Sequence, residues 1–201
     1  MHLSAKHLVL SSTLALGCAV AAGQAATAVD QQIPPQSPDS QAASSVLAKA
    51  NAGDVAAQIA VGESYLAGNG VDRDCKQAGD WFRKAAGKGA VAGELRLAKF
   101  FRDGATGCPR DLVQAAAWYR KAAEQGDVEA QGLLGTLYSF GQGVAQDYVE
   151  AYFWLNLAAS VVGPEQAHYA ANRQMVGVHL TTDEVAQVEE RTAKWKAVHP
   201  R

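Results

Sequence analysis

WFRKAAGKGAVAGE occupies Trp81–Glu94, and WYRKAAEQGDVEAQ occupies Trp118–Gln131. The two stretches share an aromatic pair, Arg-Lys, Ala-Ala and a glycine turn, 37 residues apart. A spelling repeated at that interval predicts a structural unit used more than once, not a catalytic signature. Aligning the chain on it yields three copies, over residues 52–86, 88–123 and 125–159. Gly53, Gly89 and Gly126 mark equivalent points, as do Trp81, Trp118 and Trp154, and Asp74, Asp111 and Asp147.

Each copy carries two helical patterns. In the first half of copy one, Ala57, Val61 and Tyr65 recur every four residues and share a helix face. In the second half, Ala78, Trp81 and Ala85 form one stripe, which Phe82, Tyr119 and Leu155 widen across the copies. Gly62, Ala98 and Gly135 are small enough to let a second helix approach, and the three tryptophans are expected to fill the space they leave. Gly68-Asn69-Gly70 and Gly141-Gln142-Gly143 suit helix ends that need positive φ. Asp74, Asp111 and Asp147 stand where N-caps are needed, as do Asp54 and Asp127; Ala90 lacks the side-chain acceptor. One copy alone leaves both stripes wet, whereas stacked copies bury them in a continuous spine. The predicted fold is therefore all-α, an α-solenoid of three helix-turn-helix repeats.

Beyond Ser160 the pattern changes. Gly163-Pro164-Glu165 opens a helix with proline in its first turn. Thr181-Thr182-Asp183-Glu184 has the form of a capping box for a final helix. These two helices, over 163–198, are expected to cover the C-terminal end of the stack. Val46–Asn51 reads as the remnant of an N-terminal capping helix.

At this point the pattern A-x3-[LV]-G-x2-Y-x2-G-x-G-V-x2-D-x3-A-x2-W-x2-K-A-A resembles the Sel1-like repeat, a relative of the tetratricopeptide repeat. Copy one matches from Ala57 to Ala86, and copy three matches through Trp154 before turning to WLNLAAS. Copy two departs most, with Gly93 for Ala, Ala98 for Gly and Cys108 in the Val position. The resemblance implies a non-catalytic scaffold that binds a protein or peptide, with no cofactor. Within that class, exported Sel1-like proteins also serve as immunity proteins against toxic effectors. A cell-wall-related hydrolase is a further alternative, although no catalytic motif in this chain supports it.

The N-terminus reads as a leader. MHLSAKH precedes the apolar LVLSSTLALGCAVAA, and Ala26-Thr27-Ala28 offers small residues for cleavage, giving a signal peptide over 1–28 and a periplasmic or secreted protein. No membrane insertion is expected after leader removal. Ala15-Leu16-Gly17-Cys18 loosely matches a lipobox, so a lipid anchor at Cys18 is the competing reading. Residues 29–44, rich in Gln, Pro and Ser, read as a flexible linker. With a net charge of −2 and no basic stripe, the chain shows no footprint for nucleic acid.

Cys75 and Cys108 lie at the start of a second helix and in the corresponding loop of the next copy. They form either a disulfide across that boundary or, since Val71 and Val144 align with Cys108, leave Cys108 as a small buried hydrophobe. His168 and His179 stand about 16 Å apart on one straight helix, too far to share a metal. Glu129 and Glu150 can be drawn as paired carboxylates but read as solvated helix residues.

The first helices of a solenoid line its concave face. The inward positions are Ile59, Glu63 and Leu66 in copy one, and Leu95, Lys99 and Arg102 in copy two. Copy three contributes Glu129, Thr136, Ser139 and Phe140. This row predicts a groove for an extended peptide or protein edge, in which Lys99 and Arg102 meet a partner carboxylate.

Overall fold

The computed structural model describes residues 38–104 and 107–200. The leader, the lipobox cysteine Cys18 and the linker as far as residue 37 lie outside the described residues. Among the described residues the chain forms nine α-helices and no strand: α1 Pro38–Asn51, α2 Val55–Ala67, α3 Cys75–Ala86, α4 Val91–Asp103, α5 Leu112–Glu124, α6 Val128–Phe140, α7 Tyr148–Ala159, α8 Gln166–Gly177 and α9 Thr182–Val198. The three hairpins are α2–α3, α4–α5 and α6–α7, stacked in chain order with α1 at one end. None of these helices is long and apolar enough to cross a membrane.

The helix starts follow from the caps. Asp54 and Asp127 accept from the backbone N–H of Ala57 and Ala130, and Asp74, Asp111 and Asp147 from those of Gln77, Gln114 and Glu150. Ala90, at the start of α4, makes no side-chain cap. Thr181 and Glu184 close their capping box reciprocally at α9. Two boundaries differ from expectation. The helix α1 begins at Pro38, so residues 38–44 are helical where a linker was expected. Proline is tolerated in a first helical turn, and the residues that follow contain no breaker. The helix α8 begins at Gln166, so Pro164 belongs to the turn before it.

The spine is built differently from the sequence expectation. Phe82, Tyr119 and Leu155, not the tryptophans, are completely buried at its centre. A methyl added at Gly62 would meet the Phe82 ring at 2.5 Å, and one at Gly135 would meet Leu155 at 2.7 Å. The small residues of the first helices therefore receive the residue after each tryptophan. The indoles take other places: Trp81 is buried against Ala57 and Val61, Trp154 is buried in the last cluster, and Trp118 is half-buried. Lys84 Nζ lies 3.7 Å from the Trp81 ring, and Lys121 Nζ lies 3.7 Å from the Trp118 ring. The ammonium of each Trp-x-x-Lys pair covers a π face that the core does not. In copy three that lysine is replaced by Leu157, which is fully buried on α7, the helix that α9 packs against. Nor is the core one unbroken column. It is three clusters, bridged by the half-buried Tyr65, Phe101 and Trp118. Gly93 stands where α4 passes so close to the backbone of Ala85 that no side chain fits, which explains its departure from the Ala of the other copies.

A disulfide joins Cys75 to Cys108, with Cα atoms 5.5 Å apart. It ties the first turn of α3 to the loop between α4 and α5, and Cys108 is buried.

Candidate functional site

The concave row divides into two parts with different chemistry. In copies one and two its apolar members are already used: Ile59 and Leu66 pack on the cluster around Phe82 and Leu97, and Leu95 on the next cluster. Its charges are also paired. Glu63 accepts from Arg96, Lys99 lies 2.7 Å from Glu129, and the Arg102 guanidinium holds Asp103 at 2.6 Å. The hydrogen bond from Arg102 lowers the Asp103 carboxyl below its ordinary range, more than burial raises it. Lys99 and Arg102, the residues expected to meet a partner's carboxylate, each hold a carboxylate of this chain. Glu129 and Glu150 do not converge either, because Glu150 pairs with Arg191 of α9.

Copy three is open. At the register of Ile59 and Leu95 it carries Gly132, and the Tyr169 ring of α8 fills the place of the absent side chain. Seated by that contact, α8 lies beside α6 and leaves a cleft between them. One end, a cavity of about 560 Å³, is lined by Val128, Glu129, Leu133, Glu165 and Tyr169 among others. The other, about 410 Å³, is lined by Ser139, Phe140, Tyr148, Met175 and His179, with Thr136 and His168 shared between the two. Phe140 and Met175 are 64% and 59% exposed, large apolar side chains left wet at the rim.

Thus Glu129, Thr136, Ser139 and Phe140 come together, whereas Ile59, Glu63, Leu66, Leu95, Lys99 and Arg102 do not join them as a free surface. The half of the cleft contributed by α8 was missed, because the C-terminal helices were read only as a cover. The signal was Gly132, a glycine in a row otherwise filled by Ile59 and Leu95. The two histidines dismissed as a metal pair line the same cavity from different supports. His168 is bonded to Asn172 at 3.2 Å on α8, and His179, beyond the helix end, stacks on Tyr148 with ring centroids 4.2 Å apart. Among the described residues no group of three or more His, Cys, Asp or Glu is placed to hold a metal. The cleft offers shape, apolar surface and a few hydrogen-bonding groups, the materials of recognition.

Comparison with known proteins agrees with this architecture. The family model described as Sel1 repeat matches residues 55–89, 91–127 and 128–160, the same three copies in a frame that begins three residues later. Among solved structures, a protective antigen present in uropathogenic Escherichia coli strains, displaying an SLR fold, matches with TM-score 0.67 and 36% identity. That match covers 79% of this chain and 33% of the other, so this chain spans about a third of that protein's length. A Sel1 repeat protein from Oxalobacter formigenes matches with TM-score 0.56 and 30% identity over 67% of this chain and 98% of that one. No curated protein sequence matches. Sel1 repeats are in general protein-interaction modules, and with three copies in register by sequence, by helix pairing and by family model, this chain belongs to the Sel1 repeat family.

Proposed function

We propose that the protein is a non-catalytic scaffold of the bacterial periplasm or secreted space that docks a protein or peptide in the cleft between α6 and α8. The observation that carries this reading is the pairing of exposed Phe140 and Met175 across an apolar cavity of about 410 Å³. Large apolar side chains at the rim of a concavity are expensive in water unless something covers them. The rest of the concave row is occupied by its own ion pairs and core contacts, which favours this end over the middle. The leader-like N-terminus and the Cys75–Cys108 disulfide support an oxidising compartment.

The test is site-specific photo-cross-linking in cells. A photoreactive side chain at Ser139 is expected to give discrete adducts in the envelope fraction, and the same group at exposed Ala117 of α5 none. Equal labelling at both positions, or adducts from Ala117 alone, would refute docking in the cleft. Fractionation with N-terminal sequencing of the same protein reads out its compartment and processing.

A further inference from the structure

The charge around the cleft narrows what it can hold. The two cavities share Thr136 and His168, and each draws on matching ends of α6 and α8, so the helices run side by side in the same direction. Three carboxylates gather where they start. Burial first, then Glu129, Glu165 and Asp127, raise the Tyr169 phenol above its ordinary range, which marks all three as neighbours of one ring. Two of them are committed: Asp127 caps α6, and Glu129 shares its charge with Lys99. Glu165 is exposed and has no ion pair among the described residues. The other end of the cleft carries no carboxylate in its lining and is walled by Phe140, Met175, Val176 and Tyr148. The cleft is therefore acidic at one end and apolar at the other.

The separation of the two ends follows from helical rise. Met175 stands ten residues beyond Glu165 on α8, about 15 Å of helical rise. An extended chain covers that in about four to five residues.

We propose that the cleft takes an extended peptide segment that sets one large aliphatic or aromatic side chain between Phe140 and Met175, with a Lys or Arg about four to five residues away against Glu165. The inference rests on the docking function proposed above and adds the partner's chemistry. A partner acid is disfavoured because the nearby cations Lys99 and Arg102 are already neutralised.

The experiment is selection of a random decapeptide phage library on the full chain, with Met175→Asp and Glu165→Lys chains as comparators. Both substituted positions are exposed, and matching thermal melts establish that the variants fold. The expected winners pair Leu, Ile, Met or Phe with a Lys or Arg about four to five residues away, and fail on the Met175→Asp chain. A synthetic winner with its cation changed to Glu is expected to bind about fivefold more weakly, the scale of one exposed ion pair exchanged for repulsion. The Glu165→Lys chain is expected to shrink or reverse that preference. Winners that need Met175 but carry no cation would overturn this inference and leave docking in the cleft standing. No enrichment over the Met175→Asp chain would overturn both. Sedimentation showing a dimer that Met175→Asp dissolves would also overturn the inference, since a second copy would then be the occupant.

Discussion

Lys99 Nζ lies 2.7 Å from Glu129 Oε1, so the central cation of the concave face is held by a carboxylate of the next repeat. The two side chains are 24% and 46% exposed, a setting in which such pairs contribute about 0.5 kcal/mol. A double-mutant cycle with Lys99→Met and Glu129→Gln is expected to return a coupling energy of that size, and to lose most of it in about 1 M salt. Lys99→Met should leave the peptide affinity of the full chain within about twofold, because Lys99 is not free to meet a ligand. A large loss of affinity in Lys99→Met would restore the lysine to the docking surface.

Gly62 faces the Phe82 ring so closely that a methyl there would sit 2.5 Å from it. Gly62→Ala is expected to cost about 1–3 kcal/mol, the scale of overpacking in a rigid core. Gly163→Ala is the control, since nothing lies within 4 Å of the added methyl. It should be neutral or slightly stabilising by restricting the unfolded chain. Denaturant midpoints check both. Equal effects at the two sites would mean that α2 and α3 do not pack as closely as described.

The Cys75–Cys108 disulfide spans a sequence separation of 33. A loop of that size, closed in the unfolded chain, is worth about 3–4 kcal/mol in the chain-entropy account. Reductant, or the paired change Cys75→Ala and Cys108→Ala, should lower the denaturant midpoint by a matching amount. Reductant should leave the doubly substituted chain unchanged. A wild-type midpoint insensitive to reductant would show that the bridge adds no constraint.

The architecture was legible in the sequence for a physical reason. Caps, turns and repeat spacing are local, so Asp54, Asp74, Asp111, Asp127 and Asp147 announce their helices without reference to the rest of the chain. What lay deeper was the choice between adjacent aromatic positions. Trp81 and Phe82 both fit an apolar stripe, and only the crossing of α2 over α3 directs Phe82 into the gap at Gly62. The site was half legible. Thr136, Ser139 and Phe140 follow from helical register, but α8 reaches them through Tyr169 and Gly132, a contact between distant positions. The pairing of Lys99 with Glu129 also depends on inter-repeat distance, which spacing alone does not supply.

Leu157 occupies the position held by Lys84 and Lys121 in the earlier repeats. In those repeats the lysine ammonium stacks on the indole; in the last, α9 packs on α7 and Leu157 is fully buried. Leu157→Lys is expected to cost about 3–5 kcal/mol by burying an unpaired charge, and to increase amide exchange in α9. The reciprocal Lys121→Leu, made in a Glu94→Gln background so that its attraction for buried Glu94 is not counted, should change stability by no more than about 1 kcal/mol, the value of an exposed cation–π contact. A mild effect of Leu157→Lys would mean that α9 is only loosely docked.

Glu94 is 4% exposed, and its carboxylate accepts from Gln125 Nε2 at 2.6 Å. Burial raises its carboxyl above the ordinary range, only partly offset by Lys121 and the Gln125 hydrogen bond. The folded chain therefore holds this proton more tightly than the unfolded chain. The Glu94 contribution to stability is most favourable at low pH, falls as pH rises through the unfolded and then the folded carboxyl range, and is flat above both. Glu94→Gln keeps the acceptor for Gln125 and removes the buried charge. It should be more stable than the wild type at about pH 7, with the advantage fading toward about pH 4, where the wild-type carboxyl is protonated as well. Paired denaturant melts across that range test the sign. Lower stability of Glu94→Gln at neutral pH would show that the attraction of Lys121 outweighs the cost of burial.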